Sequence, residues 1–154
     1  MNGLSDPATI DALYAASCAG AEIDLVVRGI CCLRPGVAGL SEHIRVRSVL
    51  GRYLEHSRIF RFGAPGHGEV WIGSADLMQR NLDLRVEALV KVDDPELVAR
   101  IERLLAVYLD PDSRVWVLAA DGTWKCTGSA DVQDRIRALG LPDADAIDPE
   151  RARR

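Results

Sequence analysis

Lysine is nearly missing from this sequence: of nineteen basic residues only Lys91 and Lys125 are lysine, and the rest are arginine. A biased coding composition produces such a count, but arginine's planar fork also suits phosphate oxygens, so the bias lends weak support to an oxyanion ligand. Cysteine is sparse too, and Cys18, Cys31, Cys32 and Cys126 form none of the CxxC or Cys/His spacings that ligate zinc. With no secretory leader ahead of them, the expected setting is a reducing cytoplasm, with Cys18 and Cys126 as small core hydrophobes. Adjacent Cys31 and Cys32 point to opposite faces of an extended chain, so at most one is deeply buried. No apolar run approaches the roughly 20 residues that a membrane span needs, so no transmembrane segment is expected. Aromatic residues make up 5% of the chain. Trp71, Trp116 and Trp124 fall in strand-like runs that assign them to core packing, and the lack of an aromatic-plus-basic stripe argues against nucleic acid as a partner.

What is present is a local positive field. The formal net charge is -4, yet Arg28 to Arg61 holds seven arginines against Glu42 and Glu55 alone, a net +5. A concentrated field of that kind suits a compact anionic ligand. At 154 residues the chain fits one domain and can build a core without staples.

Start and stop signals divide it as an α/β chain. In "SDPATIDALYAASCAG", Ser5 or Asp6 caps a helix, Pro7 suits its first turn, Gly20 can end it, and Ile10, Leu13 and Tyr14 share a face. Ile23 to Arg28 reads as a buried strand delivering Arg28 at its C-terminal end, where ligands gather in open α/β sheets. After a glycine-rich loop, Ile44 to Leu50 alternates as a strand, although a helix from Ser41 fits nearly as well. "SRIFRF" and "EVWIGS" read as a hairpin closed by "GAPGHG", "ADLMQRNLD" as a short helix or turn, and "RVEALVKV" as a strand. A helix opens at Asp93 or Asp94 with Pro95, a hairpin turns at Asp121-Gly122, and "SADVQDRIRAL" is a last helix. Residues 1–140 are thus expected to form one domain with a mixed β-sheet flanked by helices, and 141–154 a mobile polar tail.

The chemistry concentrates in the middle of the chain. His56 and Arg58 share a face if extended. The hairpin that follows carries "HSR" beside "GSAD", with Gly73 permitting close backbone approach, Ser74 offering a hydroxyl and Asp76 a carboxylate. Ser74 and Asp76 fit equally well as caps of the next helix. Arg80, Asn81, Arg85 and Glu87 follow, Glu87 as partner to an arginine rather than as a base. Phosphoryl transfer uses such a set, since arginines hold phosphate oxygens while an imidazole attacks phosphorus or supplies a proton. His43 and His67 lie in loop and turn contexts and read as surface residues.

The order "HSRIFRF" then "EVWIGSADLMQRNLDLRVE" resembles the phospholipase-D-like half-site, in which His-x-Lys precedes a Gly-Ser-x-Asn turn and a later Glu. Arg58 stands at the lysine's place, Asp76 at the asparagine's, and Gly63 where an aspartate is usual. Those departures match a narrower pattern. "IDLVVRGICCLRPGVAGLSEHIRVRSVLGRYLEHSRIF" and "IGSADLMQRNLDLRVEALVKVDDP" are similar to the C-terminal catalytic domain of bacterial polyphosphate kinase, the long-chain polyphosphate-synthesising type, over about Asn2 to Trp124.

The resemblance implies a phospholipase-D-like domain of an enzyme that reversibly transfers the terminal phosphate of ATP to polyphosphate through a phosphohistidine, with magnesium. By position it implies that Arg28 contacts the nucleotide phosphates, that His56 is the second catalytic-site histidine, and that Arg85 lies near the phosphate path. Arg58 and Ser74 join the expected phosphate-binding set. The phosphorylated histidine, the magnesium-linked residues and an aromatic nucleotide contact belong to preceding domains, so no metal ligand is expected in this chain and the chain alone is expected to be inactive. ATP, ADP, polyphosphate and those preceding domains are the implied partners, and a homo-oligomer the implied state when full length. The implied location is cytoplasmic, with membrane association left open. Two other readings stay open: a stand-alone phosphodiesterase half-site completed by dimerisation, and a non-catalytic anion-binding module.

Overall fold

A computed structural model describes residues 1–64 and 67–140; the expected tail, 141–154, lies outside the described residues, as do Pro65 and Gly66 of the "GAPGHG" turn. The elements run α1 (Pro7–Cys18), β1 (Ile23–Val26), β2 (Ile44–Ser48), β3 (Ile59–Phe62), β4 (Glu69–Gly73), α2 (Gln79–Leu84), β5 (Leu89–Val92), α3 (Pro95–Leu109), β6 (Val115–Leu118), β7 (Trp124–Thr127) and α4 (Val132–Ala138). The expected α/β class holds, with the strands divided between two sheets. One is four-stranded and mixed, in the order β1-β2-β6-β7, with β1 parallel to β2 and the other pairs antiparallel. The other is three-stranded and antiparallel, in the order β3-β4-β5.

Helix starts follow their caps. Asp6 accepts from the Thr9 amide ahead of Pro7, Asp94 from Glu96 and Leu97 ahead of Pro95, and Asp131 from Gln133 and Asp134. β2 settles as a strand because its alternation buries Ile44 and Val46 on one face. Ile44 and Val46 join Leu4, Ile10, Leu25, Val27 and Leu33 in the core beneath α1. On the opposite face Val115 packs with Val49, Val107, Tyr108 and Val132, the core shared with α3 and α4. Each such aliphatic side chain contributes roughly 1.5–3 kcal/mol by burial, so this sheet anchors the domain.

Several expectations need correcting. β1 ends at Val26, two residues early, so Arg28 sits in the following turn. β5 begins at Leu89, leaving Arg85 outside any strand. Leu50 is 60% exposed and does not continue the buried face of β2. Cys18 and Cys126 are exposed thiols rather than core residues, because Cys18 ends α1 and Cys126 lies on the edge strand β7, all four of whose residues are exposed. Trp116 and Trp124 are exposed by 40% and 37%, not packed into a core. Among the described residues no helix is long and apolar enough to cross a membrane.

Candidate functional site

The six residues before α1 tie the site together. Leu4 is fully buried and bridges in parallel to Cys31 on one side and Leu77 on the other. On the first side the Arg28 amide donates to the Met1 carbonyl at 3.1 Å and the Gly29 amide to Asn2 at 2.8 Å. A Cβ at Gly29 would stand 3.0 Å from the Asn2 oxygen, so a side chain there would push the Arg28 turn back by a few tenths of an ångström. On the second side the Asn2 and Gly3 amides donate to Asp76 Oδ1, at 2.6 and 3.3 Å. The strip therefore joins the Arg28 turn of one sheet to the "GSAD" turn of the other.

Asp76 is the hub of that second turn. It does not cap α2, whose N-cap is Met78 with no side-chain bond. Its other oxygen accepts from Arg58 Nη2 at 2.7 Å in an ion pair whose side chains are 8% and 3% exposed. Burial pushes the Asp76 carboxyl up, and the Arg58 guanidinium with the Asn2 and Gly3 amides outweighs it, holding the group below the usual carboxylate range. Arg58 Nη1 lies 2.6 Å from His56 Nδ1 and also donates to the His56 carbonyl at 2.8 Å. A guanidinium only donates, so Nδ1 accepts and the ring proton sits on Nε2. His56 is exposed and lies just before β3 in a segment without regular secondary structure.

The hairpin brings "HSR" beside "GSAD" as the spacing predicts: the Gly73 amide donates to the Arg58 carbonyl at 3.0 Å. A Cβ on Gly73 would lie 2.7 Å from the Ala88 carbonyl, which accounts for glycine there. Ser74 donates its hydroxyl to Glu87 and accepts from the Ala88 amide at 3.0 Å. Glu87 also accepts from Asn81 at 2.7 Å, so its direct partners are a hydroxyl and an amide rather than the expected arginine. Those two hydrogen bonds, aided by the charges of Arg85 and Arg58, lower its pKa. Arg85 is the exposed C-cap residue of α2.

Sequence reading missed what holds His56 from behind. Gln133, buried in the first turn of α4, accepts from the Tyr53 amide at 2.8 Å and donates to the Tyr53 carbonyl at 2.7 Å and to Glu55 at 3.0 Å. The Tyr108 hydroxyl donates to the other Glu55 oxygen at 2.7 Å, and burial, then the Glu55 carboxylate, raise its pKa. Glu55 thus faces the helices, and the next residue, His56, turns to Arg58 on the other side. Nothing near "YLEH" signals this, because Tyr108 and Gln133 lie more than fifty residues downstream.

Arg28 reaches a different environment. With Gly29, Ser48, Leu50, Trp116 and Trp124 it lines a cleft of about 330 Å³. Its Nη1 is buried without a hydrogen-bond partner, an unmet donor of the sort a ligand oxygen completes. Ser48 Oγ donates to the Arg28 carbonyl at 3.0 Å and fixes the turn. Among the described residues no group of three His, Cys, Asp or Glu side chains is arranged for a metal, and Asp76 and Glu87 are already hydrogen-bonded. The described residues therefore do not themselves fit magnesium. Of the other histidines, His43 pairs with Glu22 at 2.9 Å and His67 is exposed at the hairpin turn.

A His-x-Arg element locked by its arginine to a Gly-Ser-x-Asp turn, on a mixed α/β scaffold, defines a phospholipase-D-like domain. The family described as polyphosphate kinase C-terminal domain 2 matches residues 1–138, and the chain belongs to it. It is 57% identical over 124 residues to polyphosphate kinase 1 of Chlorobaculum tepidum, covering 80% of this chain and 18% of that protein. With the polyphosphate kinase of Streptomyces coelicolor the identity is 58% over 124 residues, covering 80% and 17%. The crystal structure of the polyphosphate kinase from Porphyromonas gingivalis superposes with a TM-score of 0.84 at 41% identity, covering 90% of this chain and 22% of that one. The chain thus spans less than a fifth of the length of these two curated relatives.

Proposed function

We propose that this domain supplies one half of a phosphoryl-transfer site, in which the terminal phosphate of ATP moves reversibly to polyphosphate by way of a phosphohistidine contributed by other parts of a longer protein. The observation that carries the reading is His56: its Nδ1 is committed to Arg58, which leaves the Nε2–H of an exposed ring as an outward donor. As the P–O bond to the leaving phosphate breaks and the bond to the attacking imidazole forms, negative charge grows on the leaving oxygen. The Nε2–H of His56 meets that charge and the Arg28 fork holds phosphate oxygens, the positioning and charge stabilisation on which phosphoryl transfer depends. Arg58 acts by orienting His56, since its fork is already bonded to Asp76 and His56. Ser74 holds Glu87 in the same supporting way. Arg85 adds long-range positive charge beside them. The unpaired cysteines support a reducing compartment.

Calorimetric titration with tripolyphosphate at low ionic strength tests the reading, because screening there is weakest. Measurable binding that falls about tenfold in Arg28→Ala and in His56→Ala is expected, the usual weight of a charge-assisted hydrogen bond. No binding at low salt overturns the phosphate site. Polyphosphate synthesis from ATP by the 154-residue chain alone overturns the half-site. A symmetric dimer that hydrolyses a phosphodiester, with the activity lost in His56→Ala, would replace the reading altogether.

A further inference from the structure

Glu55 and its two partners take no part in the phosphate chemistry above. The residue is half-buried, and neutral donors hold both of its oxygens: Gln133 Nε2 at 3.0 Å and the Tyr108 hydroxyl at 2.7 Å. Both donors are buried, one at the start of α4 and the other in the last turn of α3. Tyr108 is tied in turn to β2, where Arg47 Nη1 donates to its carbonyl at 3.3 Å. The same end of β2 holds the Arg28 turn: the Arg47 carbonyl accepts from the Val27 amide at 2.8 Å, and Ser48 donates to the Arg28 carbonyl at 3.0 Å. One strand end thus supports both proposed phosphate contacts, Arg28 directly and His56 by way of Tyr108 and Glu55.

Arg58 alone does not accomplish this. Its Nη1 bonds Nδ1 and the carbonyl of the same histidine, which fixes the ring against its own backbone, and its Nη2 ties that unit to Asp76. The stance of that backbone towards the four-stranded sheet is set from the other side, by Gln133 on Tyr53 and by Glu55, the adjacent residue. We infer that Glu55 is a positioning residue: bridged to Tyr108 and Gln133, it holds His56 in register with Arg28 so that one phosphate chain meets both. The inference rests on the phosphate-site reading and adds to it the group that aims the imidazole. A geometric role of this kind carries a distinctive sign. Glu55 is an anion beside a proposed anion site, so by charge alone its loss strengthens phosphate binding. As the support of His56, its loss weakens it.

Calorimetry with tripolyphosphate on the 154-residue chain at low salt reads that sign. Glu55→Ala is expected to bind about tenfold more weakly than the unaltered chain, as His56→Ala does, because a misaimed imidazole forfeits the same charge-assisted hydrogen bond. Adding Glu55→Ala to His56→Ala is then expected to weaken binding no further, the mark of two residues acting through one contact. Glu55→Gln is expected to bind at least as well as the unaltered chain, since an amide keeps an acceptor for Gln133 and offers a donor to the Tyr108 hydroxyl while the negative charge is gone. If Glu55→Ala gives no cooperative melt, Tyr108→Phe replaces it: one hydroxyl is removed, the ring stays in its core, and a smaller loss of the same sign is expected. Undiminished binding in whichever of these two variants folds overturns the positioning role and leaves the phosphate site standing. Equal losses in the Glu55→Ala and Glu55→Gln chains, or additive losses in the double variant, do the same. In a chain that binds no tripolyphosphate the phosphate reading falls, and the imidazole nitrogen NMR signals decide the rest. His56 signals that move in Glu55→Ala, or in Tyr108→Phe where that replaces it, and stay in Glu55→Gln support the positioning role; any other pattern overturns it.

Discussion

His56 and Arg28 are joined by one short strip of chain, yet they are held by opposite means. The segment around His56 has no regular secondary structure and is fixed by polar side chains: Arg58 and Asp76 on one side, Gln133, Glu55 and Tyr108 on the other. Arg28 follows a strand that ends in a hydrophobic core, its backbone is bonded to Met1 and Ser48, and one nitrogen of its fork has no protein partner. The contrast suits the two tasks proposed for them. An imidazole must present one tautomer in one direction, which takes a hydrogen-bonded support, whereas an arginine that binds oxygens needs a firm base and free donors.

Substitutions in the two supports sharpen this contrast. The largest effect is expected from Asp76→Asn, which leaves the buried Arg58 without its counter-charge and removes about 3–5 kcal/mol of stability, read by urea denaturation. The pH dependence carries the same signature. The folded Asp76 pKa lies below its unfolded value, so its contribution is complete above about pH 4 and is lost as the pH falls through the folded pKa. Asp76→Asn is expected to flatten that part of the stability profile. If the variant melts like the unaltered chain at pH 7, the ion pair is not the support of His56.

Leu4→Ala comes next, at about 2–5 kcal/mol with a value below the Asp76 variant expected, because the strip is short and can partly collapse. It touches both arms, so it is expected to weaken tripolyphosphate binding as well as lower the melting temperature. Gln133→Ala follows at about 1–3 kcal/mol, the penalty for stranding the Tyr53 backbone groups. Its particular mark is on His56: the imidazole NMR signals are expected to broaden or move, while those of His43 and His67 stay in place. A Gln133→Ala protein with unchanged His56 signals would show that the clamp is structural only. Arg28→Ala is expected to change stability least, within about 1 kcal/mol, since it removes a partly unsatisfied group. Binding without stability is the pattern that separates this arm from the other.

Much of this was legible along the chain. Asp-Pro starts gave α1 and α3, and the alternation of Ile44, Val46 and Ser48 gave β2, because caps and periodicity act over a few residues. The pairing of "HSR" with "GSAD" was readable since a hairpin links them directly. Trp116 and Trp124 were misassigned because alternation says which residues share a face and not whether anything covers it. Trp116 and Leu118 share a face, yet only Leu118 packs against the core. The cysteines failed for the same reason, at a helix end and on an edge strand.

By itself the sequence determined most of the elements, the family and the residues proposed to bind phosphate, all of which depend on short-range patterns and side-chain chemistry. Only the tertiary structure decided how those residues are used. It turned Asp76 from a possible cap into the hub of an ion pair, brought Gln133 and Tyr108 to the back of the His56 segment, and set Trp116 and Trp124 beside Arg28. Burial and hydrogen-bond partnership between distant segments arise from packing in three dimensions, and local pattern carries no record of them.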